Sequence, residues 1–213
     1  MTTSPMDDVA LIVLAAGASS RMGRAKQLLP VGGQAMIRRT ALRALASHCR
    51  PVVVVIGANS RPVRSVLEDL PLYLVENRRW RRGIGSSIRS GMRAAIRFDA
   101  RAAIVTLGDQ PELEAANWDR LAMEWKSSGR PVVASSYAGT LGAPVLFARG
   151  LFPKLLEIPE DAGCKSLLME QPAGLVARCS CPEAAVDLDT PDDYLRWQAG
   201  KPGTGTGFCR TPA

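Results

Sequence analysis

One histidine, His48, is all that this 213-residue chain carries. Catalysis by a Ser-His-Asp or Cys-His set needs an imidazole beside the nucleophile. His48 falls in an early helical stretch, so that chemistry is set aside. An H-E-x-x-H zinc motif needs two histidines and is absent. Long apolar runs are missing too: none approaches the roughly 20 residues that span a bilayer. The N-terminal MTTSPMDDVA has no basic leader region, and the apolar stretch Val9–Ala16 runs straight into a glycine loop. No signal peptide is therefore expected. The cysteines are scattered and odd in number: Cys49, Cys164, Cys179, Cys181 and Cys209. Such a set argues against a disulfide framework and for reduced thiols in a cytoplasmic protein. Cys179-Ser180-Cys181 has C-x-C spacing but no third or fourth ligand nearby, and reads as two strand cysteines rather than a metal site. No heptad or other short repeat occurs, which excludes coiled-coil and collagenous classes.

What the chain does have is an ordinary globular composition, 46% hydrophobic and 22% charged. A chain of this length buries roughly 70% of its unfolded surface and needs neither disulfide nor structural metal to fold. Lys+Arg 27 against Asp+Glu 20 gives a net charge of +7. That balance suits an anionic partner (nucleic acid, an anionic membrane or a phosphorylated small molecule) or reflects the arginine preference of a GC-rich genome.

Short β-branched runs alternate with helical stretches. Val9–Leu14, Val52–Ile56 and Ala102–Leu107 are near-continuous apolar runs, as parallel strands covered on both faces are. Tyr73–Val75, Val132–Ser135, Pro144–Phe147, Val176–Ser180 and Ala185–Leu188 are further expected strands. Helices are expected over Met36–His48, Pro62–Leu67, Ser86–Phe98, Glu114–Ser127, Cys164–Glu170 and Asp192–Ala199. The last has Thr190 as N-cap and Pro191 at its first position. This order predicts an α/β fold of three Rossmann-like layers: a mostly parallel sheet with right-handed crossovers and helices on both faces. A single domain is expected over 1–199, with a Gly/Pro/Thr-rich disordered tail over 200–213.

In such sheets ligands bind beyond the carboxyl ends of the strands, and the sharp motifs fall there. After the first strand, residues 14–30 read LAAGASSRMGRAKQLLP. Ala15, Ala16 and Gly17 let a ligand lie against the backbone, whose N–H groups can face an anion. Arg21 and Lys26 add two cations, and the whole suits a polyphosphate. It is not a Walker A loop, because five residues rather than four separate Gly17 from Gly23 and Arg24 follows; a G-x-G-x-x-G turn is absent as well. The second motif, Thr106-Leu107-Gly108-Asp109-Gln110-Pro111, ends a strand in a carboxylate, a natural Mg²⁺ ligand opposite a phosphate loop. In the third, Asp187 and Asp189 lie two apart and point to the same side, and one of them could share an Mg²⁺ with Asp109. Asp192 and Asp193 fall in the first helical turn as dipole partners. The fourth, residues 77–91, reads NRRWRRGIGSSIRSG. Its small hydroxylic residues at a helix start can bond a base edge or phosphate, while Arg78–Arg82 around Trp80 read as a solvated basic loop or a nucleic-acid patch.

Together and in this order, these motifs resemble the MobA-like nucleotidyltransferase family over about residues 9–197, and most of all its molybdenum cofactor cytidylyltransferase branch. The similar patterns are LAAGxSxRMGxxKxLLP at 14–30, NxxWxxGxxSSIxxG at 77–91, LGDQP at 107–111 and DxDTPxDY at 187–194. Residues 160–168 resemble the family's G-D-x-G-[AC]-[RK]-x-L-L segment, with Glu160 in place of the first Gly. Gly142-Ala143-Pro144 resembles a Gly-His-Pro segment, with Ala143 in place of His.

The resemblance implies a three-layer nucleotidyltransferase fold. It implies transfer of CMP from CTP to the phosphate of molybdenum-molybdopterin, giving the cytosine dinucleotide form and pyrophosphate. It places Arg21, Lys26 and Asp109 in catalytic roles and Mg²⁺ on Asp109 and Asp189. It sets Leu14, Ala15, Ala16, Gly17, Arg21, Lys26, Asn77, Gly83 and Ser87 around the nucleotide. Leu14-Ala15-Ala16-Gly17, where the guanylyl branch usually reads Leu-Ala-Gly-Gly, implies CTP over GTP. The nucleophile is already an anionic phosphate, so no protein base is needed, which accords with a lone histidine. The implied partners are CTP, a molybdopterin-type phosphate acceptor and a molybdenum hydroxylase receiving the product, with no membrane and no nucleic acid. The alternatives are a nucleotidyltransferase acting on a sugar- or polyol-phosphate and a non-catalytic molybdenum cofactor carrier.

Overall fold

The structure is a computed structural model that describes residues 8–200; residues 1–7, Cys209 and all but the first residue of the tail expected over 200–213 fall outside them. β1 (Val9–Ala15) runs into the small-residue loop. A short hairpin, β2 (Pro30–Val31) and β3 (Gln34–Ala35), leads to α1 (Met36–Ala46). Then come β4 (Val52–Ile56), α2 (Ser60–Ser65), β5 (Tyr73–Glu76) and α3 (Ile84–Arg97). β6 (Ala102–Leu107), α4 (Ala115–Ser128), β7 (Val132–Tyr137) and β8 (Thr140–Ala148) follow. α5 (Phe152–Glu157), α6 (Cys164–Met169), β9 (Val176–Ser180) and α7 (Pro191–Gln198) end the described chain.

Seven strands form one sheet in the order β5-β4-β1-β6-β8-β7-β9. β1 pairs in parallel with both β4 and β6, as do β4 with β5 and β7 with β9. This is the expected mostly parallel, three-layer α/β architecture. β1 is buried along its whole length because its side chains alternate between two cores. Val9, Leu11 and Val13 face α1 and α4, where Trp118 is fully buried. Ala10, Ile12 and Leu14 face Ile88 and Met92 of α3, Phe152 and Leu155 of α5, and Leu167 of α6. A third cluster joins Met22, Leu29, Val31 and Met36 to Leu188 and to Tyr194 of α7. It seats α7 beside the loop that follows β1, and the Tyr194 hydroxyl donates to the Pro30 carbonyl at 2.6 Å.

Three features depart from the local pattern. Ala185–Leu188 is not a strand. Pro182 locks its φ and opens a 3-10 turn over Pro182–Ala185, and the Leu188 N–H then donates to the Asp109 carbonyl at 3.0 Å instead of joining a ladder. β8 runs antiparallel to β6 and β7 through a tight turn in which Ala138 and Gly139 take φ of 46° and 74°. α5 arises where no element was expected, its Phe152 and Leu155 turned into the core. The remaining helix bounds shift by a residue or two at their frayed ends. α1, for example, ends at Ala46, which leaves His48 on the following turn with its Nδ1 2.8 Å from Asp119 Oδ2.

Candidate active site

The loop after β1 is held by a buried glutamine. Gln27 Nε2 donates to the Ala15 carbonyl at 3.1 Å and to the Gly17 carbonyl at 2.7 Å. Ser19, at φ 59°, accepts the Lys26 N–H on its hydroxyl at 3.1 Å. Local bonding thus folds the loop back so that Lys26 returns to the end of β1. Beside it, Gly57 allows the end of β4 to approach, since a Cβ there would lie 2.8 Å from the Ala16 Cβ. The Ala16 methyl therefore lies against Gly57.

A cleft of about 460 Å³ opens at the carboxyl ends of β1 and β6. It is lined by Leu14, Ala15, Ala16, Gly17, Ala18, Arg21, Lys26 and Gln27 from the first loop, Leu107, Gly108 and Asp109 from the second, and Asp189 from the third. Trp80, Arg81, Gly83, Ile84 and Ser87 line the other side. All the expected site residues except Asn77 therefore share one cavity. Lys26 Nζ donates to Asp109 Oδ2 and, at 2.8 Å, to Asp189 Oδ1. Arg21 donates to Asp189 Oδ2, also at 2.8 Å. Burial alone would weaken the Lys26 ammonium, but Asp109 and Asp189 outweigh it and hold its pKa well above the ordinary lysine range. For Asp189 burial pulls upward, while Lys26 and Arg21 prevail and hold its carboxyl below the usual value.

Asp187 is the third carboxylate of this group. Desolvation by the surrounding protein first, then the charges of Asp109 and Asp189, push it up to about 7. Between 3.8, its ordinary value, and about 7 the folded protein thus binds more protons at this site than the unfolded chain. Asp187 therefore contributes stability that is present at acid pH and lost as pH rises through that window. Asp187→Asn removes the titration. Melting curves in chelator should show the variant gaining on wild type as pH rises across the window; a constant difference would contradict the assignment.

Asn77 lies one layer behind the cleft. Its Nδ2 donates to Ser86 Oγ at 2.8 Å and Ser87 Oγ at 3.0 Å, and its Oδ1 accepts the Arg79 N–H at 2.9 Å. It positions Ser87 rather than lining the cavity. Gly83, at φ 117°, caps α3 where a Cβ would collide with the Glu160 carbonyl. Glu160, where the family pattern has Gly, pairs with Arg89 at 2.8 Å and receives the Gly85 N–H on its carbonyl, also at 2.8 Å. The basic stretch is partly engaged: Arg81 stacks over Trp80, 4.5 Å from the ring centroid, and Arg82 faces Glu160. Spacing alone gave no signal for Trp80, Arg81, Ile84 or Gln27 as cleft residues.

The chain matches the MobA-like NTP transferase domain over residues 11–175. It belongs to that family. It is 32% identical over 197 residues to nicotine blue oxidoreductase of Paenarthrobacter nicotinovorans, covering 87% of this chain and 94% of that protein. Identity to the molybdenum cofactor guanylyltransferase of Rhodobacter capsulatus is 29%, over 88% of this chain and 94% of that one. To the molybdenum cofactor cytidylyltransferase of Escherichia coli K12 it is 22%, over 89% and 95%. Among solved structures, the Mycobacterium sp. strain JC1 homologue of Mycobacterium tuberculosis Rv0371c superposes with a TM-score of 0.74 at 30% identity, over 92% of this chain and 97% of that one. Rv0371c itself has been solved with manganese, and that structure has a TM-score of 0.68 at 25% identity, over 89% and 97%.

In this MobA-like chain, α7 opens as expected: Thr190 Oγ1 accepts the Asp193 N–H at 3.2 Å, and Asp193 Oδ2 accepts the Thr190 N–H at 2.9 Å. The pair fixes the turn that carries Asp189. The four described cysteines stand apart from the cleft. Cys49, Cys164, Cys179 and Cys181 are free thiols, and burial pushes Cys49 and Cys164 up to about 12. Among the described residues no group of three or more His, Cys, Asp or Glu is placed to hold a metal ion, and no helix is long and apolar enough to cross a membrane.

Proposed function

We propose that this cleft transfers CMP from CTP to the phosphate of molybdenum-molybdopterin in the cytoplasm, releasing pyrophosphate, and that a molybdenum hydroxylase receives the product. The observation that carries the reading is the meeting of Lys26 and Arg21 with Asp109 and Asp189 at the mouth of a small-residue loop. Two cations beside a loop of Ala and Gly suit a triphosphate. Two carboxylates facing them suit a divalent cation, which takes one or two carboxylates and fills its remaining places with phosphate oxygens and water. The residues fit such an ion: Asp109 Oδ1 is buried without a hydrogen-bond partner. Asp109 and Asp189 would hold Mg²⁺, which when bound neutralises phosphate charge. Arg21 and Lys26 would offset the negative charge that grows on the departing pyrophosphate. Leu14, Ala15, Ala16, Gly17, Gly83 and Ser87 would seat the nucleoside. Since the attacking oxygen is anionic at neutral pH, alignment and charge neutralisation suffice, and no side chain need take a proton.

The test is pyrophosphate release with CTP or GTP against a molybdopterin-phosphate acceptor, a sugar-phosphate and a polyol-phosphate. Release with CTP and the pterin acceptor alone is the expected result. Preference for GTP would overturn the cytidylyl assignment, another acceptor the molybdopterin one, and no release with any pair would favour the carrier reading. The 32% identity to a protein named as an oxidoreductase sets a second reading, a redox step on a bound heterocycle. It expects an aromatic acceptor to be reduced at the expense of an added hydride donor, which is itself oxidised, with no pyrophosphate formed. Within the nucleotidyl reading, Asn77→Ala should raise KM for CTP more than it lowers kcat, because it frees Ser87 without touching the phosphates. It should also cost about 1–3 kcal/mol of stability through the buried groups left unpaired. Equal losses in kcat and kcat/KM would place Asn77 in the reacting layer instead.

A further inference from the structure

The two carboxylates that a divalent cation needs are already engaged. Lys26 Nζ holds Asp109 Oδ2 and Asp189 Oδ1, and Arg21 holds Asp189 Oδ2. Of these four oxygens only Asp109 Oδ1 is buried and without a partner. The Lys26 and Asp109 side chains are only 16% and 17% exposed, so charges meeting here are weakly screened. A dication resting on the same carboxylates would repel an ammonium a few ångströms away, and the repulsion grows as water is excluded.

We propose that Lys26 is the internal counter-ion of the metal site: it must leave Asp109 and Asp189 before a divalent cation can settle there, and the nucleotide's phosphates draw it off. Nucleotide and metal binding are then positively coupled through one side chain. This rests on the nucleotidyltransferase reading of the cleft. The local structure suits such a movement. The root of Lys26 is fixed, since its N–H is held by Ser19 Oγ and the next residue, Gln27, is pinned to two loop carbonyls. The four-carbon stem beyond that root carries a point charge that can turn from carboxylate to phosphate without backbone change. Arg21 cannot take this part, because it touches Asp189 alone and its side chain is 52% exposed. A cation that settled away from Asp109 and Asp189 would be indifferent to the lysine. The antagonism between lysine and metal can be measured from the metal side with no nucleotide added, and the coupling it implies acts equally on both ligands.

The experiment is a Mn²⁺ titration followed by electron paramagnetic resonance on wild type, Lys26→Met and Lys26→Arg, without nucleotide. Lys26→Met should bind one Mn²⁺ at least about tenfold tighter than wild type, and Lys26→Arg should stay near wild type. Adding Asp109→Asn to Lys26→Met should abolish the gain. No gain in Lys26→Met overturns the proposal, and so does a gain that survives Asp109→Asn. If Lys26→Met folds poorly, Mn²⁺ should raise its melting temperature more than that of wild type; an equal response also overturns it. Calorimetry of CTP in chelator tests the second half: Lys26→Met should bind CTP at least about tenfold more weakly, and unchanged affinity would sink the idea that phosphate draws the lysine away. Pyrophosphate release by wild type decides the parent reading separately. An active wild type with no Mn²⁺ gain in the variant defeats the lysine assignment alone. An inactive wild type with the gain defeats the nucleotidyl reading and leaves Lys26 as counter-ion.

Discussion

Asp109→Ala should bring pyrophosphate release below detection, a loss of at least about 10³ in kcat, as expected when a preorganised charge clamp on a transferred phosphoryl group is removed. Its carboxylate sits where β6 ends, one oxygen on Lys26 and the other buried and unpartnered. No neighbour can replace it from the same strand. The fold should survive, because the contact that joins the second and third loops is made by the Asp109 backbone carbonyl to the Leu188 N–H and not by the side chain. Asp189→Ala should be nearly as damaging. It removes the second carboxylate and frees Arg21 and Lys26 together. Asp187→Ala should cost less, since neither cation bonds Asp187 and its surroundings favour the neutral form. The measurement is steady-state pyrophosphate release for the three variants, with circular dichroism to check folding. If Asp187→Ala proves worse than Asp189→Ala, the second carboxylate has been misassigned.

Lys26→Ala should lower kcat/KM for the nucleotide by roughly 30- to 1000-fold, which corresponds to about 2–4 kcal/mol for removing a charge-assisted bond to phosphate from a desolvated site. The same change should weaken the protein. Asp109, Asp187 and Asp189 crowd together, and Lys26 is the cation that bonds two of them. Removing one partner of a largely buried ion pair typically costs about 3–5 kcal/mol because the other charge is left uncompensated. Added Mg²⁺ should restore part of the melting temperature but not the turnover, since a cation on the carboxylates replaces the lysine's charge there but not its bond to phosphate. Near-normal kinetics in Lys26→Ala would remove the phosphate role, and an unchanged melting temperature in chelator would remove the structural one.

The sequence by itself determined the elements whose signal is local. β1, β4 and β6 are continuous apolar runs because both their faces are covered, and a run such as AAIVTL leaves no side to turn to water. Thr190 and Pro191 announced α7 because capping chemistry is contained within four residues. The small-residue loop and the Gly108-Asp109 turn were legible for the same reason: ligand loops follow strand ends, and their residue types are read in order along the chain; the third carboxylate segment follows a 3-10 turn instead of a strand. Only the tertiary structure decided what those residues do to one another. Lys26 meets Asp109 and Asp189 across 83 and 163 residues of chain, distances at which a sequence carries no geometry. The antiparallel course of β8 depends on the turn at Ala138 and Gly139, and alternation of side chains reads the same in either direction. Ala185–Leu188 looked like a strand because it is largely apolar, yet Leu188 is buried by α7 and the loop after β1 rather than by a neighbouring strand. Asn77 behind the cleft and Gln27 in its wall hold their loops because a polar side chain that is buried must find partners, which the fold supplies as Ser86 and Ser87 for the one and the Ala15 and Gly17 carbonyls for the other.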